Sequence, residues 1–306
     1  MIALYHPEQS SLYQTLLEQA GLGRVGDVRD AIAAGRGQQV TALLGWQAPQ
    51  TIIDACPRLE WIQNLGAGVD WVLSLSLHPR VRITRVIDQF GADMAEYALL
   101  AALAWVKDFR RWQAAQRAHR WDPFRVGSLA EQTVGVLGAG SIGQEVALRF
   151  VPLAHRVRAL GRSQPGIPGV DGYAWAERGA FLRGLNVLVV VVPLTPQTRH
   201  LVDKEMLAQL APASLLVNIA RGGVVDSRAV QNALFSGQLS LAVLDVFETE
   251  PLPPDDPLWD TPGLVITPHG AGPSRPARVV RLVAENVRRF AAGEPLLGAV
   301  DRARGY

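Results

Sequence analysis

Arg221, Glu250 and His269 each stand at or just past the end of an apolar run that reads as a parallel strand. Those runs are Ser214 to Ala220, Leu239 to Val246, and Leu264 to Pro268. Open α/β sheets take their ligands at this carboxyl edge, which sets the three apart from the other ionisable residues. Taken singly, each has a plainer reading: Arg221 as a structural arginine, His269 as a satisfied turn histidine. As a set beside a nicotinamide they suit hydride transfer to a 2-keto acid, in which negative charge grows on the carbonyl oxygen. A protonated His269 is placed to donate to that oxygen as general acid. Glu250 would accept from the other ring nitrogen and fix the tautomer. Arg221 would clamp the substrate carboxylate bidentately and polarise the carbonyl.

That chemistry requires a dinucleotide site, and the run from Thr133 to Phe150 predicts one. A short β-branched strand breaks into Gly138-Ala-Gly140-Ser-Ile-Gly143 and continues as an amphipathic helix. Gly138 allows the tight turn, Gly140 the approach of a pyrophosphate, and Gly143 close packing of helix on strand. The N–H groups around Ser141 and Ile142, at the helix start, form an anion site. A GxGxxG alone is weak evidence; between a strand and a helix it meets the test for a dinucleotide fold. The next strand ends in Gly161-Arg162-Ser163, where an NAD site would carry Asp or Glu for the ribose 2′-hydroxyl. A guanidinium there suits a 2′-phosphate, so NADPH is the expected cofactor and NADH a weaker one.

The elements that must position these residues follow from the pattern. Asn186 to Pro193 is almost continuously apolar, as a strand covered on both faces must be. Strands alternate with helices near 203–210, 226–235 and 273–292, which predicts an α/β class with a doubly wound parallel sheet. Ahead of it, strands at 2–5, 40–45, 60–65 and 81–86 with helices at 10–20 and 48–56 predict a smaller α/β unit. Within that unit the strand from Trp61 runs into Leu65-Gly-Ala-Gly-Val-Asp70, whose Gly68 and Val69 N–H groups could meet a small anion. By itself, this segment is better read as a plain strand-to-helix turn. One long helix is expected from Asp93 to about Arg120, crossing between the two units.

A length of 306 residues predicts two domains, and 48% hydrophobic with 19% charged residues a globular protein. Net charge is only +2, and pairs such as Arg110-Arg111 and Arg288-Arg289 read as solvated helix surface, so no nucleic-acid partner is expected. The single cysteine, Cys56, excludes an intrachain disulfide framework and fits a reducing compartment. The first residues lack a signal peptide's basic and apolar regions. The longest apolar run, Tyr97 to Val106, is too short for a bilayer. The expected location is the cytoplasm, with no membrane partner. No HExxH, CxxC or paired-ligand spacing argues for a metal.

Several stretches together resemble the D-isomer-specific 2-hydroxyacid dehydrogenases along most of the chain. They are Leu65 to Asp70, Ala95-Glu-Tyr97, Gly138 to Gly143, Pro193-Leu-Thr-Pro-Gln-Thr198, Asn218 to Gly223, Leu244 to Pro251 and Thr267-Pro-His269. The resemblance implies an Arg–Glu–His triad at Arg221, Glu250 and His269. It implies cofactor contacts at the glycine loop, Arg162, Ser163, Val192, Pro193, Thr198, Ile219 and Asp245, the last near the nicotinamide amide. The family's carboxylate loop falls on Gly68 and Val69, which reverses the plain-turn reading. Trp46-Gln-Ala-Pro49, the short Glu250-to-His269 spacing and Val300 to Tyr306 look closest to the glyoxylate/hydroxypyruvate reductase branch, whose members prefer NADPH. Trp46 would then line the substrate pocket, and the reaction would be reduction of small 2-keto acids.

Family architecture also implies a discontinuous, flavodoxin-like substrate domain, 1–98 and 275–306, around a Rossmann domain at 99–274. It places the active site in a cleft whose closure excludes water, and implies a homodimer. Two alternatives stay open at this point: an NAD-linked dehydrogenase of a larger acid, and a nucleotide-sensing binding protein on the same fold.

Overall fold

Runs such as Val187–Val190 and Ser214–Asn218 are buried at every position, which demands a sheet with helices on both faces. The computed structural model describes residues 1–305. Tyr306, the end of the terminal stretch quoted above, lies outside the described residues. By its contacts the chain divides into Met1–Gln89 with the segment from Ser274 onward, and Phe90–Pro273. The first division thus falls at Gln89, ahead of the residue 98 expected from the sequence.

The first unit contains β1 (Ile2–Tyr5), β2 (Gly26–Asp27), β3 (Ala42–Gly45), β4 (Trp61–Asn64) and β5 (Arg82–Thr84). They form one parallel sheet in the order β2-β1-β3-β4-β5, the flavodoxin-like winding. The order reverses between β1 and β3, so Trp46, which follows β3, stands at this sheet's topological switch point. Among the elements that escaped the sequence pattern are β2 and the helix Val28–Ala33. They share one short segment in which Asp27 ends the strand and caps the helix by accepting from Arg29 N–H at 2.8 Å. Cys56 is buried in this unit's core, and burial pushes its thiol up from the ordinary range.

The helix Pro276–Ala292 rejoins this unit through a stripe of Val279, Val280, Val283, Ala284 and Val287 at helical spacing. Beside the last residue of that stripe lies a fully buried Asn286. Its amide donates to Gln63 Oε1 at 2.7 Å and to the Leu297 carbonyl at 2.9 Å, and accepts from Leu297 N–H at 2.8 Å. Thr84 Oγ1 donates to the same Gln63 oxygen at 2.8 Å while accepting from Trp61 Nε1 at 2.8 Å. Gln63 Nε2 donates onward to the Asn64 carbonyl at 2.8 Å. A polar network of this kind is tolerable in a core because its members find partners.

The second unit holds β6 (Thr133–Leu137), β7 (Arg156–Gly161), β8 (Asp171–Ala174), β9 (Val187–Val190), β10 (Ser214–Asn218), β11 (Leu239–Leu244) and β12 (Leu264–Ile266). They make one parallel sheet, β12-β11-β10-β9-β6-β7-β8, a Rossmann-type doubly wound order that reverses between β6 and β9. Successive residues of β9 enter opposite layers: Leu188 and Val190 join one core, Val187 and Val189 the other. β8 was not foreseen, because Asp-Gly-Tyr-Ala at a half-exposed sheet edge carries no strand pattern. The expected single helix from Asp93 to Arg120 is two, Gly91–Val106 and Phe109–Arg117, broken where Asp108 turns left-handed at φ 48°. Tertiary contacts accompany that break. Gly127 N–H takes the Val106 carbonyl at 3.1 Å, and Lys107 Nζ donates back to Gly127 O at 2.7 Å. Among the described residues no helix is long and apolar enough to cross a membrane.

Replacing Asn286 by Ala removes a donor from the buried Gln63 oxygen and both bonds to the Leu297 backbone. We expect a loss of about 1–3 kcal/mol in unfolding free energy, measured by urea titration. An Asn286→Ala protein as stable as the parent would show that this network does not hold the returning helix.

Candidate active site

β10, β11 and β12 are neighbours in register, Asn218 beside Leu244 and Leu244 beside Ile266, so their carboxyl ends open at one level. Arg221, Glu250 and His269 are carried on the three loops that follow. His269 Nδ1 and Glu250 Oε2 are 2.7 Å apart, a hydrogen-bonded ion pair when the imidazole is protonated. Glu250 Oε1 accepts from Phe247 N–H at 2.9 Å, so both carboxylate oxygens are held and the side chain cannot swing away. With Nδ1 committed, Nε2 is the free ring position; it has no protein partner among the described residues. The His269 side chain is 51% exposed, so that nitrogen is open to a small molecule.

The backbone at His269 is left-handed, φ 53°, an uncommon state for a side chain with Cβ and one that costs about 1–2 kcal/mol. Its N–H donates to the Asp245 carbonyl at 2.8 Å. The Asp245 carboxylate, only 1% exposed, accepts from Thr267 Oγ1 at 2.6 Å, Gly270 N–H at 2.8 Å and Ala271 N–H at 2.9 Å. Tyr97, on the helix Gly91–Val106, hydrogen-bonds Thr267 Oγ1 in turn. Burial pushes the Tyr97 phenol up and Asp245 adds to the effect, against the Thr267 bond; the phenol therefore stays a donor. Asp245, expected as a nicotinamide contact, spends both oxygens on the turn that carries His269. Nothing in the sequence pattern near Tyr97 or Thr267 announces this tether.

Arg221 is half-buried, with Nη1 donating to the Ala220 carbonyl at 2.7 Å and its own carbonyl accepting from Asn218 Nδ2 at 3.1 Å. Its loop is pressed against the Glu250 loop at Gly222, where a Cβ would lie 1.9 Å from the Phe247 carbonyl carbon. Only glycine permits that backbone-to-backbone approach. The Glu250 loop is held from its other side by Glu248, which pairs with Arg199 Nη2 at 2.8 Å and with His200 Nε2. The His200 bond first, then Arg199, hold the Glu248 carboxyl below its ordinary range despite some burial.

The glycine loop meets its expected form. Gly138 has φ 110°, and a Cβ on Gly143 would sit 1.8 Å from the Gly138 carbonyl, so helix Ser141–Phe150 packs directly on the turn. Around Gly140 there is open space, and Gly140 and Ser141 are exposed while Ile142 is half-buried. Arg162 and Ser163 are exposed beyond β7. Val192 and Pro193 follow β9, and Ile219, buried, follows β10. The Thr198 hydroxyl donates to the Pro193 carbonyl at 2.6 Å and accepts from Thr195 N–H at 2.7 Å, so it shapes its own loop. Among the described residues no cluster of His, Cys, Asp or Glu could hold a metal.

In the first unit, Trp46 lies against the loop that carries Gly68 and Val69. The Trp46 ring lies on Gly66, where a Cβ would be 2.3 Å from its Cζ3. Trp46 and Gly68 are half-buried and Val69 is buried.

Comparison with known proteins places this geometry. A family model described as D-isomer specific 2-hydroxyacid dehydrogenase, NAD binding domain, matches residues 99–271. The chain is 39% identical over 281 residues to glyoxylate/hydroxypyruvate reductase A of Klebsiella pneumoniae strain 342, covering 89% of this chain and 90% of the relative. A second K. pneumoniae protein of that name is 37% identical across 100% of this chain and 99% of its own. Among solved structures, a D-isomer specific 2-hydroxyacid dehydrogenase of Xanthobacter autotrophicus Py2, in complex with NADPH and MES, matches with TM-score 0.92 and 35% identity. That match covers 100% of this chain and 99% of the other. An NADPH-dependent glyoxylate/hydroxypyruvate reductase of Sinorhizobium meliloti, in complex with NADP and sulfate, matches with TM-score 0.91 and 32% identity over 100% and 98%.

Proposed function

This chain belongs to the D-isomer-specific 2-hydroxyacid dehydrogenases, which makes it an NAD(P)-dependent oxidoreductase, and we propose that it reduces small 2-keto acids such as glyoxylate and hydroxypyruvate with NADPH. The observation that carries the proposal is the 2.7 Å His269–Glu250 pair, with Nε2 left open at the edge of a dinucleotide-fold sheet. The names of the relatives support the substrate class.

The residues present fit the cofactor. Open space at Gly140 and the N-terminus of a ten-residue helix suit a pyrophosphate. The β7 tip offers exposed Arg162 and Ser163 rather than a carboxylate, which suits a 2′-phosphate. NADPH and NADP in the neighbouring structures agree with that preference. Bound there, the reduced nicotinamide supplies a hydride to the substrate's carbonyl carbon. Arg221 orients the substrate through charge-assisted bonds to its carboxylate and carbonyl. The Gly68 and Val69 N–H groups receive the carboxylate, and Trp46 borders it. His269 Nε2 gives its proton to the carbonyl oxygen as charge develops there, while Glu250 holds the imidazolium in place. Asp245 and Tyr97 act through the turn that aims His269.

We also propose that the protein is a homodimer assembled through its second unit. Helices Gly91–Val106 and Phe109–Arg117 leave Leu100, Leu103, Phe109 and Trp112 exposed, and Trp121 beyond them is 95% exposed. Apolar surface gathered in this way fits a self-complementary interface.

Three outcomes test this reading. In steady-state assays with a panel of 2-keto acids, kcat/KM with NADPH should exceed that with NADH. Arg162→Ala should lower the NADPH value about 10- to 100-fold and spare NADH. A parent protein that oxidises NADPH with no small 2-keto acid rejects the function; an NADPH/NADH ratio below one rejects the cofactor preference. His269→Gln should cost about 10²–10⁴ in kcat with NADPH affinity kept. A folded His269→Gln protein that keeps the parent's kcat, with chemistry rate-limiting, would argue against His269 as the acid. Light scattering should report twice the chain mass of 33.1 kDa, and a monomer at micromolar concentration would dismiss the dimer.

A further inference from the structure

Asn64 closes β4, and its side chain is completely buried. Its Nδ2 donates to two carbonyls of the following loop, Gly66 O at 2.9 Å and Gly68 O at 2.7 Å. Its Oδ1 accepts from Trp71 Nε1 at 3.0 Å. These partners fix the amide's orientation, since two carbonyls require a donor and an indole N–H requires an acceptor. Gly66 O takes a second bond from Val86 N–H at 3.0 Å. The carbonyl between them, Ala67 O, faces the half-buried guanidinium of Arg85 at 3.4 Å.

A trans peptide unit is planar, with its C=O and N–H pointing to opposite sides. The Gly66 and Gly68 carbonyls converge on one nitrogen, so the N–H groups of Ala67 and Val69 are both turned away from Asn64. Arg85 likewise sends the Gly68 N–H away from itself. None of these three N–H groups has an acceptor among the described residues. Val69 is buried and the other two are half-buried, so the loop holds donors that are withdrawn from bulk water and unmet by protein. Trp46 covers the loop at Gly66. Among the described residues Arg85 forms no ion pair with a carboxylate, and burial lowers its pKa against the pull of Asp88. It therefore adds positive potential to the loop from the carbonyl side.

We propose that Asn64 is a positioning residue for substrate. By fastening the carbonyls of Gly66 and Gly68, it presets the Ala67, Gly68 and Val69 N–H groups as a receptor for one carboxylate, with Arg85 as a background cation. This rests on the loop receiving the substrate carboxylate, as proposed above. It adds which side chain makes the loop competent, and it adds Ala67 to the donors. Asn64 touches no reacting atom, so its loss should register in anion affinity and not in the chemical step.

The test uses the full chain with NADPH present, and oxamate as a non-reacting carboxylate probe. Asn64→Ala should weaken oxamate binding by calorimetry, and raise the glyoxylate KM, by about tenfold or more, with kcat and NADPH affinity within about twofold. Trp71→Phe keeps Asn64 but removes the indole donor that holds its amide, and should shift the same two quantities in the same direction by a smaller factor. Thermal unfolding reports whether each variant is folded. A folded Asn64→Ala protein with unchanged oxamate affinity, or one that loses kcat while KM stays constant, overturns the proposal. Should Asn64→Ala fail to fold, unchanged oxamate affinity in Trp71→Phe overturns it instead. If the parent binds oxamate but turns over no 2-keto acid, and the variants still weaken oxamate, the reaction assigned above fails and the receptor stands. A parent that binds no oxamate ends the receptor.

Discussion

The carboxylate of Asp245 lies under the last strand's exit, where it accepts a hydroxyl and two backbone N–H groups from the turn that presents His269. Burying a carboxylate costs several kcal/mol unless its lone pairs are met, and here three donors meet them. The exchange fixes a backbone conformation at His269 that the residue would rarely adopt on its own. The imidazole is then aimed by the main chain, before Glu250 fixes its tautomer. Thr267 and Tyr97 extend the same restraint into the helix Gly91–Val106, so the reacting edge is coupled to the packing of the second unit.

A comparable logic runs through the first unit with neutral groups. Asn286, Gln63 and Thr84 form one chain of bonds in an otherwise apolar core, and that chain ends on the carbonyl of Asn64. Asn64 in turn governs the glycine-rich loop. In each unit the residues proposed to meet a ligand are few, and one fully buried polar side chain, Asn64 or Asp245, braces the segment that carries them. Precision at the surface comes from satisfied polar groups underneath it.

The doubly wound class is legible in the sequence because its signals are local. Continuous apolar runs mark strands covered on both faces, and three glycines at fixed spacing mark the nucleotide turn. Strand ends also mark Arg221, Glu250 and His269 as candidates, and the structure joins Glu250 and His269 by a hydrogen bond. Illegible were features fixed by contacts remote in sequence. The helix break at Asp108 goes with Gly127, many residues on, and no proline or glycine marks it. β8 is recognisable only as an edge paired with β7. Thr198 and Asp245 are expected as cofactor contacts, and the pattern does not announce that Thr198 also ties its own loop together or that Asp245 also holds the turn after β12. Asn64 gives no local sign of its importance, because its partners are backbone carbonyls.

The discontinuity of the first unit has a consequence for synthesis on the ribosome. Its five strands leave the exit tunnel before any of the second unit, yet the helix Pro276–Ala292 that supplies Asn286 emerges only after the whole of that unit has been made. Until then Gln63 lacks its deepest partner and the sheet face meant for that helix stays uncovered. The second unit, whose residues are contiguous, is complete before that helix exists. Vectorial synthesis therefore leaves the first 89 residues waiting, a nascent client for holding chaperones, while the segment made after them acquires its structure first.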